Sequence, residues 1–73
     1  MNSISELLEI ERDQVEKLNE AERMARLLNC FQINKGTDIF NDLIEEYRVK
    51  AREYRVTVSR ARTLILKALI GLE

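Results

Sequence analysis

A single cluster of helix-ending residues, Asn34-Lys35-Gly36-Thr37-Asp38, interrupts a chain of 73 residues that has no proline and only two glycines. Glycine tolerates the left-handed conformation in which helices stop, and Asn, Thr and Asp are favoured where helices begin. Nothing comparable lies on either side. The pattern predicts a single domain, residues 1–73, of two long helices: helix 1 at about 4–32, a turn at about 33–37 and helix 2 at about 38–71. Ser3, with Glu6 three positions later, has the form of a capping box for helix 1, and Thr37 or Asp38 stands where it would cap helix 2. At 1.5 Å per residue both helices are about 45–50 Å long, so they match as arms of an antiparallel hairpin.

Periodicity agrees with this all-α, coiled-coil-like hairpin. Phe40, Ile44, Tyr47, Ala51, Tyr54, Val58, Ala61, Ile65, Ala68 and Leu72 follow alternating steps of four and three, the spacing of a helix seam. Helix 1 has a rougher stripe, Ile4, Leu7, Leu8, Val15, Leu18, Ala21, Ala25 and Leu28, interrupted by the polar Glu11 and Gln14. Alanines at 21, 25, 51, 61 and 68 would let the two backbones approach closely. Tyr47 and Tyr54 read as seam residues whose hydroxyls reach the interface edge.

Such a chain is short of core. Below roughly 70–80 residues a lone core rarely supplies more than ~3–5 kcal/mol without disulfides, metal or association. Two groups of apolar residues also fall outside the one seam a hairpin has. Met24, Leu27 and Phe31 widen the apolar face at the end of helix 1, and Leu64, Leu66, Leu69 and Ile70 make the end of helix 2 apolar nearly all round. The expectation is completion by self-association, as in a four-helix bundle, or by a protein partner covering these residues. In an antiparallel hairpin the two groups lie at opposite ends, so they form two separate contact patches.

The net charge of −1 hides a segregation, with net −6 over residues 1–46 and net +6 over residues 48–67. Glu6, Glu9, Asp13, Glu16 and Glu20 form an acidic stripe roughly opposite the apolar face of helix 1, and Arg48, Arg52, Arg55 and Arg62 fall on one flank of the helix 2 seam. The simplest reading of both is a solvated surface with local pairs such as Glu45 or Glu46 to Lys50, worth ~0.3–0.5 kcal/mol each. The arginines are also candidates for electrostatic contact, with carboxylates of an acidic protein surface or with the phosphates of structured RNA. A pI near 5.5 and the acids within the same hairpin weigh against nucleic acid.

Catalysis has little to work with. The chain has no histidine and one cysteine, so it offers no imidazole base, no intrachain disulfide and no CxxC metal site. Cys30, beside Phe31, reads as a buried structural thiol. No nucleophile, base and orienting group can be assembled, and the reading is of a non-enzyme without cofactor, metal or small-molecule substrate. The first residues lack the basic and apolar regions of a secretory signal, and the most apolar stretch, Leu64 to Leu72, is nine residues and includes Lys67. These features place the chain in the cytoplasm, without a membrane span.

Leu43, Glu46-Tyr47, Lys50 and Glu53-Tyr54 resemble a pattern in the C-terminal helix of type III secretion needle subunits, which are themselves small helical hairpins. Those subunits have a proline-bearing turn, where this chain has Lys35-Gly36-Thr37-Asp38. The chain as a whole resembles the small co-chaperones of needle subunits in the same systems, through Gly36-Thr37-Asp38, the capped and charged first helix, and the apolar second helix ending in Gly71-Leu72-Glu73. That resemblance implies a cytoplasmic protein that, with a larger repeat-containing chaperone, keeps the needle subunit monomeric before export. The alternatives are a polymerising needle-like subunit and a nucleic-acid-binding hairpin homodimer.

Overall fold

The computed structural model describes residues 3–71 and is a hairpin of two α-helices, α1 (Ile4–Lys35) and α2 (Asn41–Gly71), packed along their length. It is a rod of 57 × 16 × 14 Å. The seam position expected at Leu72, and the chain ends at Met1, Asn2 and Glu73, lie outside the described residues.

Ser3 starts α1 as the sequence indicates: its backbone is extended and its hydroxyl accepts from the Glu6 N–H at 3.2 Å, satisfying one of the free donors of the first turn. The stop at Gly36 is a full Schellman motif. Gly36 takes φ +64°, its N–H donates to Ile33 O at 3.3 Å, and the Thr37 N–H donates back to Gln32 O at 2.9 Å. This motif carries α1 through Lys35, three residues beyond the expected end, because the glycine closes the last turn instead of preceding a longer loop.

The second helix also starts later than expected, at Asn41 rather than 38. Thr37 does bond locally, its hydroxyl accepting from the Ile39 N–H at 3.4 Å, and Asp38 O accepts from the Asn41 N–H at 3.2 Å, but neither caps the helix itself. The residue before Asn41 is Phe40, whose carbonyl accepts the Ile44 N–H at 2.8 Å and whose side chain can accept nothing. Gln32, from the last turn of α1, does the work of a cap. Its Oε1 accepts the Phe40 N–H at 3.2 Å and its Nε2 donates to Asn41 Oδ1 at 2.7 Å. Among the described residues it is the buried polar one, with 7% of its surface exposed, and no buried side-chain polar atom there lacks a partner.

The seam of α2 forms as its spacing predicts. Ile44, Ala51, Val58 and Ala61 are buried; Phe40, Tyr47, Tyr54, Ile65 and Ala68 are half-buried. On α1 the pattern is corrected. Leu8 is 50% exposed, whereas Glu11 and Gln14 are half-buried. The true stripe is Ile4, Leu7, Glu11, Gln14, Leu18, Ala21, Ala25, Leu28 and Gln32, which alternates steps of three and four without a break and has polar residues at three places. Leu8 belongs to the neighbouring flank, one position off that sequence.

Among the described residues, four of the seven buried apolar residues are alanines, and no large side chain is fully enclosed. Each alanine hides little more than a methyl group, worth roughly 0.8 kcal/mol. The fold therefore leans on its corner. Replacing Gln32 by Leu keeps the volume but leaves the Phe40 N–H without its acceptor, and it should cost about 1–3 kcal/mol, read as a lower urea midpoint by circular dichroism. Gly36→Ala should cost about 1 kcal/mol through the left-handed backbone alone, since a Cβ there meets nothing within 4 Å, with Gly36→Asn milder.

Candidate functional site

The residues expected to meet a partner divide between the two ends of the rod. At the end distal to the turn, Leu64, Leu66, Leu69 and Ile70 are all exposed, between 48% and 60%. The same helix turns Ile65 and Ala68 inward, so in this stretch seam and outer surface are both apolar, and only the seam is covered. Leu8 of α1 adds to the exposed apolar surface.

The patch near the turn is smaller than the sequence indicates. Leu27 and Phe31 are exposed, but Met24 is half-buried, lining a shallow groove with Ala21, Tyr47 and Tyr54 at the edge of the seam. Met24 thus belongs to the rim of the hairpin's own interface, its flexible side chain filling the space beside an alanine. Phe31 packs edge-on against Phe40, ring centroids 5.6 Å apart at 65°, so one of its edges is used to brace the turn.

The arginine row lies on one flank, where Arg48, Arg52 and Arg55 line an open groove with Glu22 and Glu45 over a floor of Ala25 and Ala51. Three of the four candidate arginines meet carboxylates of their own chain. Arg55 reaches Glu22 at 3.0 Å and Arg62 reaches Glu11 at 3.1 Å, both across the hairpin, while Arg52 reaches Glu45 at 3.2 Å along α2. Glu11 interrupts the apolar stripe for this reason: it sits at a seam position, its carboxylate turned to the flank where Arg62 stands. The charge segregation read from the sequence is thereby resolved as cross-helix pairing, but through Glu11 and Glu22 and not through the acidic stripe. Glu6, Glu9, Asp13, Glu16 and Glu20 are all exposed, with Asp13 paired to Lys17 at 3.2 Å. The local pair expected for Lys50 is replaced as well: Glu45 takes Arg52, and the Lys50 ammonium lies 5.7 Å from the Tyr47 ring centroid.

Cys30 is exposed, contrary to the expectation of a buried thiol, because it lies two positions from both Leu28 and Gln32 of the seam series, on the far side of the helix. Among the described residues no group of three or more His, Cys, Asp or Glu is arranged to hold a metal ion, and no helix is long and apolar enough to cross a membrane. What the surface offers is uncovered apolar area, and guanidinium groups with donors to spare.

Two measurements check this geometry. A double-mutant cycle on Glu11→Gln and Arg62→Gln should give a coupling of about 0.2–1 kcal/mol that shrinks in high salt, as expected for a pair whose arginine is mostly in water. A thiol reagent should modify Cys30 in the folded protein nearly as fast as in denaturant; strong protection would mean the thiol is covered.

No protein-family model matches the chain, and comparison with curated proteins and with solved structures likewise returns no match.

Proposed function

We propose that the hairpin is a protein-docking module, whose α2 end enters a groove of a larger partner. The observation that carries this reading is the exposure of Leu64, Leu66, Leu69 and Ile70 on a helix end whose inward face is already committed to the seam. Covering this surface would add the apolar burial that an alanine-rich seam lacks, and helix-in-groove association is a common way to do so. The resemblance to needle-subunit co-chaperones supports a specific assignment. The partner is then a larger repeat-containing chaperone of a type III secretion system, and the pair holds the polymerising needle subunit in monomeric form in the cytoplasm before export.

The engagement of Arg52, Arg55 and Arg62 by Glu45, Glu22 and Glu11 supports a protein partner over nucleic acid. Phosphates would have to compete with three carboxylates already in place, in a chain of net charge −1.

The reading is tested by Leu66→Asp combined with Leu69→Asp. Both side chains are outside the seam, so helical content should persist, while pull-down of the partner chaperone from the native cell should fail. Retained capture would reject the α2 end as the docking site.

A further inference from the structure

Two stripes on the outer surfaces of the hairpin match each other in order and spacing. Along α1, Glu6, Asp13, Glu20, Met24 and Leu27 are separated by seven, seven, four and three residues. Along α2, Arg48, Arg55, Arg62, Leu66 and Leu69 repeat those separations forty-two positions later. Opposite charges occupy the first three places and apolar residues the last two. Glu9 and Glu16 reinforce the acidic half and Arg52 the basic half. Every residue of the two sets of five is exposed except Met24, which is half-buried at the seam edge.

Within one molecule the stripes cannot meet, since α1 and α2 run in opposite directions and Glu6 and Arg48 stand far apart along the rod. They meet only when α1 of one molecule lies parallel to α2 of another. We infer that the hairpin associates with a second copy of itself in this way, in the register Glu6 on Arg48, Asp13 on Arg55, Glu20 on Arg62, Met24 on Leu66 and Leu27 on Leu69.

The repeat of seven is the contact period of two nearly parallel helices, so a match at one place brings the others into contact. The groups needed are partly free. Arg55 and Arg62 each meet their own-chain carboxylate through one nitrogen, and a guanidinium has five N–H donors. Asp13 uses the same oxygen, Oδ2, for Lys17 and Gln14, leaving Oδ1 toward a neighbour. The apolar places supply the burial: Leu27 and Leu66 are exposed by 56% and 59%, and covering them removes surface that the isolated hairpin leaves in water.

The contact is heterologous, because it joins two different surfaces. A molecule that receives a neighbour on α2 still presents α1 to another, so assembly continues past a pair. Leu66 and Leu69 are also part of the end assigned above to a partner protein. Self-association and partner docking therefore exclude each other at those residues, and a bound partner caps the growing assembly.

Sedimentation velocity on the purified full chain at high micromolar concentration tests the inference. The wild type should sediment as a concentration-dependent series beyond dimer that weakens as salt rises. Glu6→Lys with Asp13→Lys and Glu20→Lys should weaken association by about tenfold or more, as should Arg48→Glu with Arg55→Glu and Arg62→Glu. Mixing the two triple variants should restore assembly, since each keeps the stripe the other has lost. A wild type that stays monomeric, a symmetric dimer unaffected by either triple variant, or a mixture no heavier than its components would each overturn the inference. Should the arginine variant lose helix, because Glu11 and Glu22 lose their partners, the α1 variant and Leu27→Asp decide by themselves. These substitutions face outward on α1, so unchanged association in both, with helix retained, rejects the register. The partner pull-down reads separately, so docking at the α2 end stands or falls independently of this result.

Discussion

The side chain of Gln32 is the constraint from which the rest of the hairpin follows. Its backbone carbonyl takes part in the motif that ends α1, and its amide supplies both an acceptor and a donor to the first residues of α2. One residue thus finishes one helix and begins the next, fixing their relative height. The effect extends to the far end. Glu11 lies twenty-one residues before Gln32, and its partner Arg62 lies twenty-one residues after Asn41, so the register set at the corner is still in step about 31 Å away. A polar residue in this position gives up some burial and gains a defined alignment, which an alanine-rich seam could not impose through side-chain shape alone.

The seam is narrow because it is built of alanines, and this decides where the larger apolar residues stand. Two helices that approach closely over Ala21, Ala25, Ala51 and Ala61 have little room between them for leucine. Leucines at positions outside the seam series, such as 8, 27, 64, 66 and 69, consequently face water. Cross-helix pairs along the flank, Arg55 with Glu22 and Arg62 with Glu11, hold the rims of the same seam, but their arginines are largely hydrated, so they orient the helices more than they stabilise them. Exposed leucines and thin core are two aspects of the same residue choice.

Much of the fold was legible because helix 2 carries an uninterrupted apolar series and the chain has one glycine-bearing break. The structure bears out the hairpin, the Ser3 cap and the left-handed Gly36. Misreadings cluster where a seam position is polar. Glu11 and Gln14 look like interruptions when apolarity alone is scored, and Leu8 looks like core; counting steps of three and four from Leu7 through Leu28 places all three correctly. Gln32 was missed altogether, although an amide at a seam position directly before a turn is a usable signal for a corner clamp. Exposure at Leu64, Leu66, Leu69 and Ile70 was readable from the excess of apolar residues over one seam, whereas Met24 was not, because a groove beside Ala21 is a property of the packed pair. The arginine flank was visible as a row, but its partners were not, since a cross-helix pair depends on register.

The Gln32 corner also sets a gradient of chain entropy along the rod. Its bonds join residues eight and nine positions apart, so closing that loop sacrifices little chain entropy, while the Glu11 to Arg62 pair spans fifty-one. Each helical turn outward from the corner closes a longer loop, so the entropy lost in bringing a seam pair together grows toward the end distal to the turn. The contacts that close the longest loops are those around Ile4, Leu7, Ile65 and Ala68. The leucines that face water on α2 sit at that end, so a protein gripping them would hold together the contacts whose closure costs the most chain entropy.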